Sequence, residues 1–514
     1  MAAVAPRFPG VEVVYVDTHR GVRHWSRRTF LGTLGAVGSA TLLAACSQPS
    51  ASTPAKPAEP AKPAETKPAA PAAAAQPTAA PAAAKPDAKP ADKPASAPAA
   101  AAPEPEPKVT AGVFNVWFSA NWNTVTDEAV GNTFVEWGKE NGGQKVEWQS
   151  IPGSPQLLAK QSAAVAAGQP PEVSRDNLIY WHSQGEVGNL TELVSRNKGK
   201  AGGMYDISIV ASTAGDGVVI GAPYAVDVWP PHWRIDEIGA VNNGKFFETW
   251  DKVIELGPKA QKPPRTFTIA MALGHEADTT NNLCHVLWAY GGRLCNEQGV
   301  PDITNPANKS GIEVIKRMWD AKVIPPDSFA STVTSWNNEM YQKGRSLISI
   351  NPATIMGWLL VNDKELADKT GIAQSPAGPA GSFAEAGTLM FNYFKKAKLA
   401  DKAPSAIEYF IQPPNLEKVA KSVEGRFVPV YRDHTKSDFW QTSKFAEMRI
   451  IAENGRIREW PAAPQPWLPD VQQARFSLSD MLNRVLNENM KIEDSQEIAQ
   501  KDMMDSYNKL VKKP

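Results

Sequence analysis

Sixteen of the chain's forty-four prolines fall in the sixty-one residues between Ser47 and Pro107. The tract repeats Ala, Pro, Lys and Glu and contains no aromatic residue. It has nothing to bury against the entropy of ordering, so it cannot join a packed domain. It reads as a disordered tether over residues 46–107. Its prolines bias it toward extended polyproline II, with an upper reach of about 190 Å at ~3.1 Å per residue. A stalk of required length and a spacer of no set length both fit this composition. The tether divides the chain into a head, residues 1–45, and a body long enough for two domains of ordinary size.

The head has the order of an export signal. Ser26-Arg27-Arg28-Thr29-Phe30-Leu31 is a twin-arginine pattern, followed by a moderately apolar, Gly-rich stretch from Phe30 to Ala45. That stretch is short for a membrane span and suits the apolar region of a signal peptide. It closes on Leu43-Ala44-Ala45-Cys46, which resembles the lipobox of bacterial lipoproteins. Small residues there admit a signal peptidase, and the Cys46 thiol accepts the diacylglycerol. Residues 1–45 therefore read as a twin-arginine lipoprotein signal peptide. The expected location is the extracytoplasmic face of the cell membrane, held by a lipid anchor. The residues ahead of Ser26 are long for such a signal, which leaves the true start codon open.

Composition excludes several classes. Lys+Arg and Asp+Glu balance at 54 each, so no global field calls for nucleic acid or an anionic membrane surface. Removing residues 1–45 takes away five arginines and two acids, and the remainder stays near neutral. Mean hydropathy of −0.34 and the lack of a long apolar run exclude a polytopic membrane protein. Three cysteines are too few for a disulfide scaffold. Cys284 and Cys295 stand either as a pair across the Gly291-Gly292 turn or as two small buried residues. No H-E-x-x-H, phosphate-binding G-x-x-x-x-G-K-[ST], G-x-S-x-G or C-x-x-C motif occurs. The seven histidines are scattered. No metal, no cofactor and no catalytic residue is expected.

The body alternates strands and helices. Phe114 to Phe118 reads as a strand, and Val130, Phe134 and Trp137 mark one face of the helix after it. Lys145 to Gln149 is a second strand. Ser154 is expected to cap a helix with Pro155 at its first position, Leu158, Ser162 and Val165 inward and Gly168 at its end. Thr249 caps the helix starting at Trp250, and Asn305-Pro306 opens another with Ile312, Ile315 and Trp319 facing inward. Such alternation predicts an α/β fold with parallel sheets.

Six further segments stand in order: Ala167-Gly-Gln-Pro-Pro-Glu-Val173, Val219-Ile-Gly-Ala-Pro-Tyr-Ala-Val-Asp227, Thr249-Trp-Asp-Lys-Val253, Tyr290-Gly-Gly-Arg-Leu294, Tyr341-Gln-Lys-Gly-Arg-Ser-Leu347 and the Pro376–Gly381 loop. Together they resemble the extracellular solute-binding proteins of family 1, the maltose-binding-like receptors of ABC importers. The resemblance runs from about residue 112 to 510. One segment departs from it: Val228-Trp-Pro-Pro-His-Trp233 places two prolines where the family continues a strand.

The resemblance implies a type II periplasmic-binding-protein-like fold, two α/β lobes joined by a hinge around a ligand cleft. By analogy lobe 1 takes residues 108–225 plus 372–412, and lobe 2 takes 226–371 plus 413–514. Crossings are expected near Val226, Gly371 and Gln412-Pro413-Pro414. Hinge closure is the known behaviour of periplasmic binding proteins. Expected partners are a small solute, the permease's transmembrane subunits and the membrane through the anchor, with the receptor a monomer and not an enzyme.

Fifteen of the sixteen tryptophans lie in the body. Trp137 and Trp319 read as core, while Trp117, Trp122, Trp181, Trp229, Trp358, Trp460 and Trp467 fall at expected strand ends or turns. Indoles offer flat apolar surface to a sugar ring, while Asp, Asn and Arg take its hydroxyls. Position by position, the resemblance points to Asn121, Trp122, Trp181, His182, Asp227, Trp229, Asn281, Asn351, Trp358, Trp460 and Trp467 as ligand contacts. The acid–arginine pair that follows Trp181-His182 in maltose binders is missing here, which argues for a ligand other than maltose. For each polar residue a capping or surface role fits as well. Two function classes stand at this point. One is a receptor that captures a mono- or oligosaccharide unchanged, with polyamines, organophosphates, metals or peptides as other ligands of the fold. The other is a secreted carbohydrate-active lipoprotein enzyme with a paired acid and base.

Overall fold

β1 (Phe114–Ser119) is buried at every position, as a strand covered on both faces must be. A computed structural model describes residues 112–121, 123–422 and 425–511, all within one compact unit. Arg27, Arg28, Cys46, the tether and Trp122 lie outside the described residues. β2 (Val146–Ile151) and β3 (Val173–Arg175) run parallel on either side of β1. The helix Thr124–Glu140 links β1 to β2 and buries Val130, Phe134 and Trp137. Asn123 caps it, its side chain accepting the Thr126 N–H at 2.7 Å. In the helix Ser154–Ala166 the cap position falls to Gly153, at φ 82°, and Ser154 is already helical. Thr249 and Asn305 cap their helices as expected.

The first sheet has the order β10-β4-β9-β3-β1-β2, with β4 (Ala222–Val228), β9 (Ala386–Tyr393) and β10 (Val428–Pro429). The second has the order β6-β7-β5-β8, with β5 (Pro231–Arg234), β6 (Phe267–Ala270), β7 (Ser346–Ile350) and β8 (Thr370–Ile372). This is the mixed α/β, two-sheet architecture of periplasmic-binding-protein-like proteins. The sheets are mixed rather than parallel. β9 is antiparallel to both β3 and β4, because the chain returns from the second sheet and enters beside the last residues of β4, Val228 opposite Ala386. β5 is antiparallel to both its neighbours.

The two prolines that break the family pattern have a structural consequence. β4 ends at Val228 and β5 begins at Pro231, so Pro230-Pro231 sits where the chain leaves one sheet for the other. Proline lacks the N–H a continued ladder needs, and that position terminates pairing. The return crossing joins β8 to β9. The third lies at Gly455 to Trp460, downstream of the helix Ala446–Asn454. Pro413-Pro414, where that crossing was expected, instead begins the helix Pro413–Ser422. Proline suits a first helical turn, whose N–H groups have no partner within the helix. Leu416, Val419, Val428, Met448 and Ile451 then pack with the core of the first sheet. Residues 413–452, expected with lobe 2, therefore belong with the first core, and the second takes Ala462, Trp467 and the C-terminal helices. The three crossings lie side by side. Trp229 N–H donates to the Glu385 carbonyl at 2.9 Å, Ala386 N–H to Arg456 at 2.9 Å, and Arg456 N–H to Ala384 at 3.0 Å.

Cys284 and Cys295 are both buried free thiols. Among the described residues no helix is long and apolar enough to cross a membrane, and no cluster of His, Cys, Asp and Glu is placed to hold a metal ion.

Candidate functional site

A cavity of about 320 Å³ opens beside the three crossings. Each crossing contributes to its wall: Asp227 and Trp229 from the first, Glu385 to Met390 from the second, Ile457 to Glu459 from the third. The loop after β3 adds Asp176 and Asn177, and the C-terminal segment adds Pro464, Pro469 and Gln472. Asp176 and Asn177 both adopt positive φ, 64° and 57°. Asn and Asp tolerate that conformation better than other side-chain-bearing residues, and it turns the chain sharply from β3 into the next helix.

The wall combines acceptors with their own counter-charges. Asp176 accepts from Arg175 at 3.3 Å and from the Ser119 hydroxyl. Asp227 accepts from Arg426 at 2.5 Å, and Glu385 forms an ion pair with Arg458 at 3.2 Å. Arg458 also donates to the Gln472 side-chain carbonyl at 3.1 Å. Burial pushes the Glu385 carboxyl up to about 7 against the pull of Arg458, and burial raises Glu459 as well. One oxygen of Glu385 and the amide nitrogen of Gln472 are buried without a hydrogen-bond partner. Such a wall holds lone pairs and donors but little net charge. Apolar Leu178, Ile220 and Met390 complete it. This suits a neutral solute with many hydroxyls.

Of the expected contacts among the described residues, Asp227 and Trp229 line this cavity and the others are elsewhere. Asn121 is committed to Asp127 and to Arg175, at 2.7 and 2.8 Å. Trp181 is 3% exposed inside a small core and donates to Gln161. His182 pairs with Asp216 at 2.8 Å near the surface. Asn281 and Asn351 are buried in the second half of the body, Asn351 donating to Asn337 at 2.8 Å. Trp358 is 41% exposed on the helix Thr354–Asn362. Trp460 stacks on Arg456. Trp467 is wholly buried and donates to the Gly299 carbonyl at 2.9 Å. Trp117, expected at a strand end or turn, is fully buried. Among the described residues the expected platform of several indoles thus reduces to one ring, Trp229. Trp117, Trp181 and Trp467 were needed to fill cores, which loop position in the sequence did not reveal.

Asp176, Glu385, Arg458, Glu459 and Gln472 were missed. Their only sequence signal is the charged run Arg456-Ile-Arg458-Glu459 beside Trp460, which gains meaning once the third crossing is placed there.

Residues 132–447, well over half of the chain, match the family model for bacterial extracellular solute-binding proteins. The chain belongs to that family. Solved structures share its fold. This solute-binding protein superposes on the maltose-bound MalE3 of T. maritima with a TM-score of 0.62 at 17% identity, over 76% of this chain and 99% of that one. A solute-binding protein of an ABC transporter from Thermotoga lettingae TMO, bound with alpha-D-tagatose, gives 0.63 at 17% identity, over 77% and 100%. The GacH receptor of Streptomyces glaucescens GLA.O, solved unliganded and with acarbose, gives 0.61 at 16%, over 79% and 99%. At these identities the likeness speaks to fold alone.

Proposed function

We propose that this solute-binding protein is the lipid-anchored, extracytoplasmic receptor of an ABC importer. In this reading it is exported by the twin-arginine route, held through Cys46, and works as a monomer. It closes on a mono- or oligosaccharide and hands it unchanged to the permease. The observation that carries the reading is the cavity itself, walled by all three crossings and lined by carboxylates each backed by a guanidinium or neutralised by burial. Binding there would couple to rotation of one half against the other, since ligand contacts on both sides favour the shut state. The saccharides in the related crystal structures support the ligand class. An affinity of ~1 μM needs a net gain of only about 8 kcal/mol, within reach of Trp229 stacking and several hydrogen bonds.

The test is a thermal-shift and calorimetric screen of maltose, laminaribiose, tagatose and ribitol, with product analysis on each hit. A saturable, stabilising sugar recovered intact is the expected result, and Trp229→Ala should weaken it ~10-fold or more. Turnover of the sugar would replace the receptor by an enzyme. Stabilisation by none of the panel would remove the sugar reading.

A further inference from the structure

We propose that Arg426 is a specificity-determining residue that acts through Asp227, so that the cavity admits neutral hydroxylated solutes and rejects those carrying an ammonium group. The inference rests on the solute-binding reading above and names the charge class that the site selects.

The geometry is asymmetric. Asp227 lines the cavity, with 20% of its side chain exposed, whereas Arg426 stands behind it with 9% exposed and does not reach the wall. The guanidinium donates through Nη1 to Asp227 Oδ1 at 2.5 Å and lies 4.1 Å from the centre of the Phe427 ring. Its Nε is buried without a partner. Among the described residues Asp227 is the one carboxylate paired with it, and Asp227 Oδ2 receives no hydrogen bond. The pair therefore offers the cavity a free carboxylate oxygen whose charge is cancelled from the rear. A hydroxyl can donate to that oxygen without bringing a charge into the cleft. An ammonium would meet the same oxygen with Arg426 close behind it and Arg458 in the wall, so its attraction is largely offset. An acidic solute would meet the carboxylate first. Asp176 with Arg175 repeats the arrangement, whereas the partner of Glu385, Arg458, lines the wall itself. Arg426 is the informative member, because Arg175 also bonds Tyr224, Asn121 and Ser119 and so ties β3 to β1 and β4.

Removing the rear charge should turn the filter into a cation site. Calorimetry on the full chain with glucose and maltose as neutral probes, glucosamine as the cationic probe and glucuronate as the anionic one reads this directly. Wild type is expected to rank the neutral probes first. Arg426→Gln should improve glucosamine relative to glucose by about tenfold, with the gain fading as salt is raised. Should that variant fold poorly, Asp227→Asn gives the mirror result, a relative gain for glucuronate, because Arg426 is then uncovered. A double variant should return to the wild-type ranking. Wild type that binds a neutral probe but ranks glucosamine or glucuronate equally overturns the filter and leaves the receptor reading standing. Unchanged ranking in both folded single variants overturns it too. Wild type that binds none of the four, nor any member of the thermal-shift panel, removes the sugar reading, and the filter falls with it.

Discussion

The guanidinium carbon of Arg456 lies 3.6 Å from the centre of the Trp460 ring, and the Phe383 ring faces it from the other side at 3.4 Å. Phe383 belongs to the second crossing, Arg456 and Trp460 to the third. The same two segments are joined by backbone hydrogen bonds from Ala386 to Arg456 and from Arg456 to Ala384. Burial lowers the Arg456 pKa to about 10, the mark of a cation held partly out of water. The stack fastens two of the three connections between the sheets without touching the cavity.

Trp460→Ala should therefore act at a distance. Loss of the cation–π contact and its apolar area is expected to cost about 1–3 kcal/mol in chemical denaturation. Solute affinity should change as well, since the relative position of the two halves is set at the crossings. A stability loss with unaltered affinity would show the stack to be packing alone.

Trp467 and Trp229 should separate cleanly. Trp467 is fully buried and its indole N–H bonds the Gly299 carbonyl, whereas Trp229 lines the cavity. Trp467→Phe leaves that carbonyl without its donor and leaves a void, an expected loss of about 1–3 kcal/mol with affinity unchanged. Trp229→Phe should show the reverse pattern. Melting temperature and calorimetric affinity, measured on both variants, check it.

These two tryptophans also show what the sequence can and cannot reveal. Both sit in segments without helical or strand periodicity, and nothing local tells the ring that fills a core from the ring that faces a cleft. The helix carrying Val130, Phe134 and Trp137 was legible because its spacing is fixed by the helix turn itself. Pro230-Pro231 was legible as an anomaly, but not as a boundary, since a missing N–H forbids a ladder without saying where the chain goes next. Pro413-Pro414 misled for a related reason: two prolines stop one helix and start another equally well. The pairs that define the wall, Asp227 with Arg426 and Glu385 with Arg458, join residues distant in sequence. Only the convergence of the crossings makes them partners.

The two body thiols give a third expectation. Cys284 and Cys295 are fully buried, and burial raises both thiols, Cys295 to about 12. Neither presents thiolate to a reagent. Mass-resolved maleimide labelling should modify neither in the native protein and both once it is unfolded without reductant. Labelling that appears only after reduction would mean that they are joined in the mature chain.

Opposed titrations should give stability a flat middle and two falling limbs. Burial holds His232 and His285 near pKa 3 rather than 6.5. His285 stays neutral between the Ser375 hydroxyl and the Glu385 N–H. The unfolded chain takes up those protons below 6.5 while the folded one does not, so this stability is whole above 6.5 and drains as pH falls toward 3. Glu276 and Glu385 behave inversely. Burial lifts both from 4.5 to about 7, so their contribution is whole below 4.5 and is lost as pH rises through 7. Between 4.5 and 6.5 the histidine gain and the carboxyl loss offset one another, two groups against two. Above 6.5 the carboxyl loss alone remains, and Asp278, raised well above its ordinary value by burial and by Glu276, extends it. Glu276→Gln keeps the shape and removes the charge. It should raise stability by about 2–3 kcal/mol at slightly alkaline pH and by less than ~1 kcal/mol near the acid end of the plateau. Urea unfolding across the pH range measures both limbs. An equal gain at every pH would mean that Glu276 titrates as an ordinary surface acid and that the alkaline limb has another origin.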